Sequence, residues 1–306
     1  MSATTAERWA RARSFHHSLY PAQRIAAERR ESVSVCLPAR ECAGTVGAIV
    51  AALVALREAG VLDEVVVVDA ASPDGTAAIA ERAGATVWQE AQLLPAFGPV
   101  LGKGDAMWRA LSVLDGELVC FLDADTQGFS AHFATGLLGP LVCEPGVSFV
   151  KGFYRRPLRQ GEDAGRDGGE GAGEGGGRVN HLTARPALRL FYPELAGVRQ
   201  PLAGEVAARR ELLEGLAFAT GYGVEIAMLI DVWRKLGLDG IAQVDLDEHR
   251  NRHQPLSALA PMASTVLATI ARRLSEEGRL VDVEDVAVDL ELAPVERPPL
   301  ARESVA

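Results

Sequence analysis

The segment ELVCFLDADTQGF, residues 117–129, ends an apolar run in two carboxylates separated by one small residue, Asp123-Ala124-Asp125. Side chains two apart on a strand point to the same side, with α-carbons roughly 6.5 Å apart. Leu118 to Leu122 has the length and the β-branched and aromatic content of a strand covered on both faces. Burying two carboxylates at its end costs several kcal/mol unless something neutralises them. Two hard oxygen donors so placed suit Mg²⁺ or Mn²⁺, which takes one or two protein carboxylates and fills its shell with water and phosphate oxygens. Lys103, between Gly102 and Gly104, can bring an ammonium close to phosphates or a base, and Asp69 ends a second buried run, where it reads equally as a turn aspartate.

These residues need elements to hold them. Strand-like and helix-like segments alternate from residue 32 to about 150: SVSVCLPA, a helix from Gly44 to Gly60, EVVVVDA, a short helix to Ala83, ATVWQ, the helix GKGDAMWRALSVL, the run before Asp123, and VSFVKGFYRRPL. Strand, helix, strand at this spacing predicts a mostly parallel α/β sheet with helices on both faces. At the carboxyl end of such a sheet both carboxylates look into the crevice where open α/β folds bind ligands. Beyond lie helices near Leu182–Leu195, Gly223–Leu236 and Leu256–Leu274, with a strand near Ile241–Leu246. Between them GEDAGRDGGEGAGEGGG (residues 161–177) has nine glycines and no apolar residue larger than alanine, so it reads as a mobile surface loop. The first thirty residues read as partly helical, and the last thirty, acidic and proline-rich, as a loosely attached tail.

The 306 residues suffice for one large α/β domain or two smaller ones. The net charge of -10 argues against non-specific nucleic-acid binding, which needs clustered Lys and Arg. The longest apolar stretch, Val46 to Leu56, is far short of the roughly 20 residues of a membrane span. No early segment has the plan of a secretion signal, and no C-x-x-C pair exists, which predicts reduced thiols in a cytoplasmic protein. The first strand ends LPARECAGT without G-x-G-x-x-G, and GKGDA lacks the P-loop spacing and hydroxyl, so neither nucleotide-binding loop is present.

The segments VCLPAREC, GKGDAMWRAL, FLDAD, FVKGFYRRPL, GGGRVNHL, RQPLAGEVAARREL, GYGVEIAMLIDVWRKLGLDGIAQVD and HRNRHQPL occur in this order. The set resembles the glucosyl- and mannosyl-3-phosphoglycerate synthases, retaining glycosyltransferases of family GT81 with the GT-A fold, over residues 32 to about 275. The resemblance implies a nucleotide-sugar half (residues 32–150), an acceptor half (151–276), an N-terminal helical extension (1–31) and a tail (277–306). It implies that Asp125 and His249 hold Mg²⁺ or Mn²⁺, His249 reading by itself as a surface residue. Pro38, Ala39, Glu41, Asp69, Lys103, Asp123 and Glu225 would bind the donor, Glu225 through the sugar hydroxyls, while Gly177, Arg178, Asn180 and Tyr222 would bind the acceptor, with Asp125, Glu225 and Arg178 catalytic. A helix N-terminus carrying Arg178 offers amides and a guanidinium fork to phosphate or carboxylate. Arg155 and Arg156 read as salt-bridged surface residues.

The implied reaction moves a hexose from a nucleoside diphosphate to the 2-hydroxyl of 3-phosphoglycerate, in a homodimer with no nucleic-acid or membrane partner. Where relatives commonly carry LPALNEE this chain has Arg40 and Cys42, and those departures favour GDP-mannose, with UDP-glucose or GDP-glucose the alternative. A nucleotidylyltransferase or a non-catalytic nucleotide-sugar sensor are the rival classes.

Overall fold

The computed structural model describes residues 4–156, 177–249, 256–280 and 294–300. Helix α1 (Thr5–Ala12) opens on a capping box, Thr4 taking the Glu7 N–H while Glu7 takes that of Thr4. Strand β1 (Ser14–His16) and helix α2 (Ala22–Glu28) follow. The alternating region forms β2 (Val33–Ala39), α3 (Val46–Glu58), β3 (Glu64–Asp69), α4 (Thr76–Ala83), β4 (Thr86–Gln89), α5 (Lys103–Ala110), β5 (Leu118–Phe121), α6 (His132–Cys143) and β6 (Phe149–Arg155). The remainder contains α7 (Arg185–Phe191), β7 (Val206–Arg209), α8 (Arg210–Glu214), β8 (Phe218–Ala219), α9 (Val224–Leu236), β9 (Ile241–Glu248), α10 (Leu256–Glu276) and β10 (Glu296–Arg297).

Eight strands form one sheet in the order β1-β9-β6-β7-β5-β2-β3-β4. Every pairing in it is parallel except those of β7, which runs antiparallel to β5 and β6. The expected α/β architecture is therefore present, and the carboxyl ends of the parallel strands share an edge with the amino end of β7. Residues two apart on β2 face the same layer: Val33, Val35 and Leu37 pack with Ile49 and Leu53 of α3 and Phe133 and Leu137 of α6. Cys36, between them, faces the other layer with Trp108 of α5 and Ile226, Leu229 and Ile230 of α9. Burial on both faces is why these strands are continuous apolar runs.

Three elements differ from the sequence reading. The N-terminal segment is not only helical, because β1 extends the sheet beside β9 with Ser14 opposite Gln243. Strand β7, VAAR, has little β-branched content and gave no strand signal, yet its neighbours on both sides satisfy its backbone. The tail is not loosely attached where it is described: β10 pairs antiparallel with β8, and the Trp108 indole N–H donates to Pro298 O at 2.7 Å. Arg297 enters the protein and donates to both oxygens of the buried Asp105 at 2.8 and 2.6 Å. The glycine-rich segment lies outside the described residues except for Gly177.

Candidate active site

Along the carboxyl edge of the sheet runs a cavity of about 540 Å³. The strand order lays out its wall: Glu90 just past β4, Ala70 past β3, Pro38, Ala39, Arg40 and Cys42 at β2, Asp123 to Asp125 past β5, Gly204 before β7 and Arg156 after β6. Helix ends close it. Gly102 and Lys103 begin α5, Gly221, Tyr222 and Glu225 begin α9, and residues 177–180 enter the helical stretch leading to α7.

Local chemistry explains how Asp123 and Lys103 come together. The Thr45 hydroxyl at the start of α3 donates to Ala124 O at 2.7 Å, and Thr126 donates to Asp123 O at 3.1 Å, which fixes the loop after β5. Helix α5 starts against β8, because a Cβ at Gly104 would stand 2.0 Å from Ala219 O, a distance only glycine allows. Gly102 has φ +97°, the left-handed region that favours glycine. The Lys103 Nζ thus lies 2.6 Å from Asp123 Oδ1 and 3.2 Å from Glu225 Oε1. Burial opposes its charge, but Asp123 and Glu225 outweigh that and hold its pKa well above the ordinary lysine range. The ammonium is charged at any working pH.

Asp125 is different. It is open to the cleft and makes no hydrogen bond or ion pair among the described residues. The surrounding walls and the charge of Asp123 raise its pKa, with His249 and Lys103 opposing them. Its oxygens are therefore free to meet a ligand in the cleft.

His249 is not a surface residue. It is 1% exposed, stacked on the Tyr154 ring with centroids 4.4 Å apart and edge-on to Phe133. Its Nε2 is 3.0 Å from the Thr126 hydroxyl and 2.9 Å from Glu205 Oε1, the second contact too poorly aligned for a hydrogen bond. Ligand atoms of Asp123, Glu205 and His249 lie within 4.8 Å of one another. Glu205 Oε2 accepts from the Tyr154 hydroxyl at 2.9 Å, and burial is outweighed by His249, Lys103 and Arg156, so Glu205 stays ionised. Glu205 Oε1 and His249 Nδ1 are buried with no hydrogen-bond partner among the described residues. A carboxylate cluster with one imidazole and unspent buried polar atoms fits a hard or borderline divalent cation.

Glu205 was missed by sequence reasoning. A single Glu opening a short strand has no spacing signal, and its role appears only when β7 is placed between β5 and β6.

Of the residues expected at the site, Pro38, Ala39, Lys103, Asp123, Asp125, Gly177, Arg178, Asn180, Tyr222 and Glu225 all line the cavity. His249 lies behind the wall beside Asp123. Glu41 is exposed outside the lining, its φ of 53° left-handed and its N–H donating to Ser72 Oγ at 2.9 Å. Asp69 is buried behind Ala70; its Oδ2 accepts from the Ser72 N–H and Gln89 Nε2, so it holds the turn after β3. Arg156, read as a surface residue, instead lines the cavity and donates to the Tyr154 hydroxyl at 2.9 Å. Asn180 accepts the Leu202 N–H at 2.9 Å within a π-helical turn spanning Asn180–Ala184, an irregularity frequent at functional sites.

The sheet and the cleft along its carboxyl edge are those of a glycosyltransferase with the GT-A fold, and the model for glycosyl transferase family 2 matches residues 34–135. The chain belongs to the family of the glucosyl- and mannosyl-3-phosphoglycerate synthases. It is similar to the glucosyl-3-phosphoglycerate synthase of Petrotoga mobilis, 38% identical over 94% of this chain and 93% of that protein. Among solved structures it is similar to mannosyl-3-phosphoglycerate synthase from Rubrobacter xylanophilus, 44% identical, with a TM-score of 0.86 and coverage of 96% and 98%. The Mycobacterium tuberculosis glucosyl-3-phosphoglycerate synthase in complex with Mn²⁺, UDP-glucose and phosphoglyceric acid is 38% identical, with a TM-score of 0.77 and coverage of 92% and 94%. No helix among the described residues is long and apolar enough to cross a membrane.

Proposed function

We propose that this chain transfers a hexose, with retention of configuration, from a nucleoside-diphosphate sugar to the 2-hydroxyl of 3-phosphoglycerate. The observation that carries the proposal is one cavity joining an unpartnered Asp125 to the helix start at Arg178 and Asn180. GDP-mannose is the donor we favour, its sugar in line with the mannosyl name of the Rubrobacter xylanophilus neighbour. UDP-glucose is the second reading, in line with the glucosyl name of the Petrotoga mobilis relative and the Mycobacterium tuberculosis complex.

We assign a divalent cation to Asp125 and His249; the ligand atoms grouped within 4.8 Å of one another are those of His249, Asp123 and Glu205, with Asp125 two residues from Asp123 on the cavity wall. When bound, such a cation stabilises charge on the departing nucleoside diphosphate. Lys103 locks Asp123 and Glu225 in one arrangement, so that Glu225 can meet hydroxyls of the donor sugar in a fixed orientation. Arg178 and the helix start hold the acceptor's anionic groups, and the gain comes from orientation and preorganised charge. The ammonium of Lys103 engages both Asp123 and Glu225 and makes each a poor nucleophile. Attack by the acceptor on the face the diphosphate leaves, without a covalent enzyme intermediate, is therefore the retaining route we assign. Assembly as a homodimer is part of the same proposal and is checked by light scattering.

The test is nucleoside diphosphate release with Mg²⁺ or Mn²⁺, crossing GDP-mannose, GDP-glucose and UDP-glucose against 3-phosphoglycerate. Release that requires 3-phosphoglycerate and disappears in Arg178→Ala at low acceptor supports the reading. Donor binding without acceptor-dependent release would make the protein a sensor, and pyrophosphate release from a nucleoside triphosphate would make it a nucleotidylyltransferase.

A further inference from the structure

Most charged groups of the cleft already have partners. Lys103, Asp123 and Glu225 hold one another, and Arg156 is bound to Tyr154. Besides Asp125, the wall carries two charged side chains with neither a hydrogen bond nor an ion pair among the described residues, Arg40 and Glu90. Both stand away from the acceptor end. Glu90 begins the turn after β4, the outermost strand on that side, and Arg40 follows β2, two strands inward. Between them the wall is Pro38, Ala39, Ala70 and Ala106, small and apolar enough for a flat ring. The diphosphate must lie nearer Asp125, so this end is where the donor's base sits; that placement rests on the function proposed above.

A half-buried carboxylate with no hydrogen bond among the described residues can accept from donors that reach it. Guanine presents two adjacent ones, the N1–H and the exocyclic N2–H₂, which a carboxylate takes as a bidentate pair. Uracil presents a single N–H flanked by two carbonyl oxygens, whose lone pairs a carboxylate repels. The same group thus rewards one base and penalises the other. Arg40, facing the same end, can donate to a carbonyl or ring nitrogen, and its charge partly offsets the burial that raises the Glu90 pKa.

We infer that Glu90 reads the donor base and selects guanine over uracil, so that this chain uses a GDP-linked sugar. A bidentate charge-assisted contact predicts about ten- to hundredfold discrimination.

The experiment is calorimetric binding of GDP and UDP, each with Mn²⁺, to wild type, Glu90→Gln and Glu90→Ala. Wild type should bind GDP at least about tenfold more tightly than UDP, and both variants should lose most of that preference through weaker GDP binding alone. Wild type binding UDP as tightly as GDP would overturn the inference, as would variants that weaken both nucleotides equally. Because binding is read without acceptor, the outcomes separate. A GDP preference that depends on Glu90, with no turnover on 3-phosphoglycerate, would sink the proposed reaction and leave this inference standing. Turnover on 3-phosphoglycerate with the best rate from UDP-glucose would do the reverse.

Discussion

Gly204 offers a perturbation whose effects on stability and on activity should separate. It lies on the cavity wall before β7 and does not have a positive φ, so alanine can take its backbone without strain. A Cβ there would stand 2.4 Å from Lys103 Nζ and 2.5 and 2.8 Å from the two carboxylate oxygens of Asp123. Ordinary contact lies near 3.5 Å, so the pair must move by about 1 Å. The displaced atoms are side-chain ends beside open cleft, which keeps the expense to about 1 kcal/mol, the low end for an added methyl. On the proposed function, however, the displaced charges are those that would place donor and cation, and a misplacement of about 1 Å typically costs about a hundredfold in kcat/KM. Gly204→Ala should therefore melt close to wild type while its acceptor-dependent nucleoside diphosphate release falls about a hundredfold. An enzyme that keeps wild-type kcat/KM would refute the assignment of the Lys103–Asp123 pair to the working site. A variant that unfolds would refute the packing argument.

Other perturbations test other parts of the reading. Asp125→Ala should abolish turnover while leaving the melting temperature unchanged or slightly raised, since the lost carboxylate has no partner to strand; a clear drop in stability would show that it is structural. On the proposed function, Glu205→Gln should weaken Mn²⁺ binding, followed by the paramagnetic signal of the free ion, about tenfold, because a charged group beside the proposed ligands contributes on that scale; unchanged affinity would restrict Glu205 to the fold. Arg297→Ala should cost about 3 kcal/mol in urea unfolding, the low end for breaking a buried ion pair, since Asp105 keeps Arg109 and the Leu101 N–H. Lys151 is buried with Nζ donating to Ala203 O at 2.7 Å, and burial lowers its pKa from 10.5 to about 8. Below pH 8 the lysine is protonated folded and unfolded and the penalty is complete; as pH rises through 8 toward 10.5 the native state sheds its proton first and stability increases. The gain approaches about 3 kcal/mol, and Lys151→Met should lack it when urea midpoints at pH 7 and pH 10 are compared.

What could be read from the sequence and what could not divide along a physical line. Asp123 and Asp125 announce themselves because a buried apolar run ending in carboxylates is costly, and Lys103 because glycines bracket it. The long strands and helices α3, α9 and α10 follow from burial on two faces or one stripe, which leaves a pattern within a single segment. The features that escaped depend on contacts between distant segments. Asp105 and Arg109 look like an ordinary surface pair four residues apart on a helix, yet both are fully buried because Arg297, nearly two hundred residues away, closes over Asp105. His249 looks exposed in its charged run, but β9 carries it beneath Tyr154 and against Glu205, which β7 delivers from the other side. Burying a histidine and a carboxylate together, each with an unsatisfied atom, is unfavourable for the fold alone. On the proposed function, a cation beside Asp123, Glu205 and His249 would offset part of that cost. A donor bridging from a base near Glu90 to a cation near Asp125 would then present its sugar toward the acceptor residues that line the same cavity.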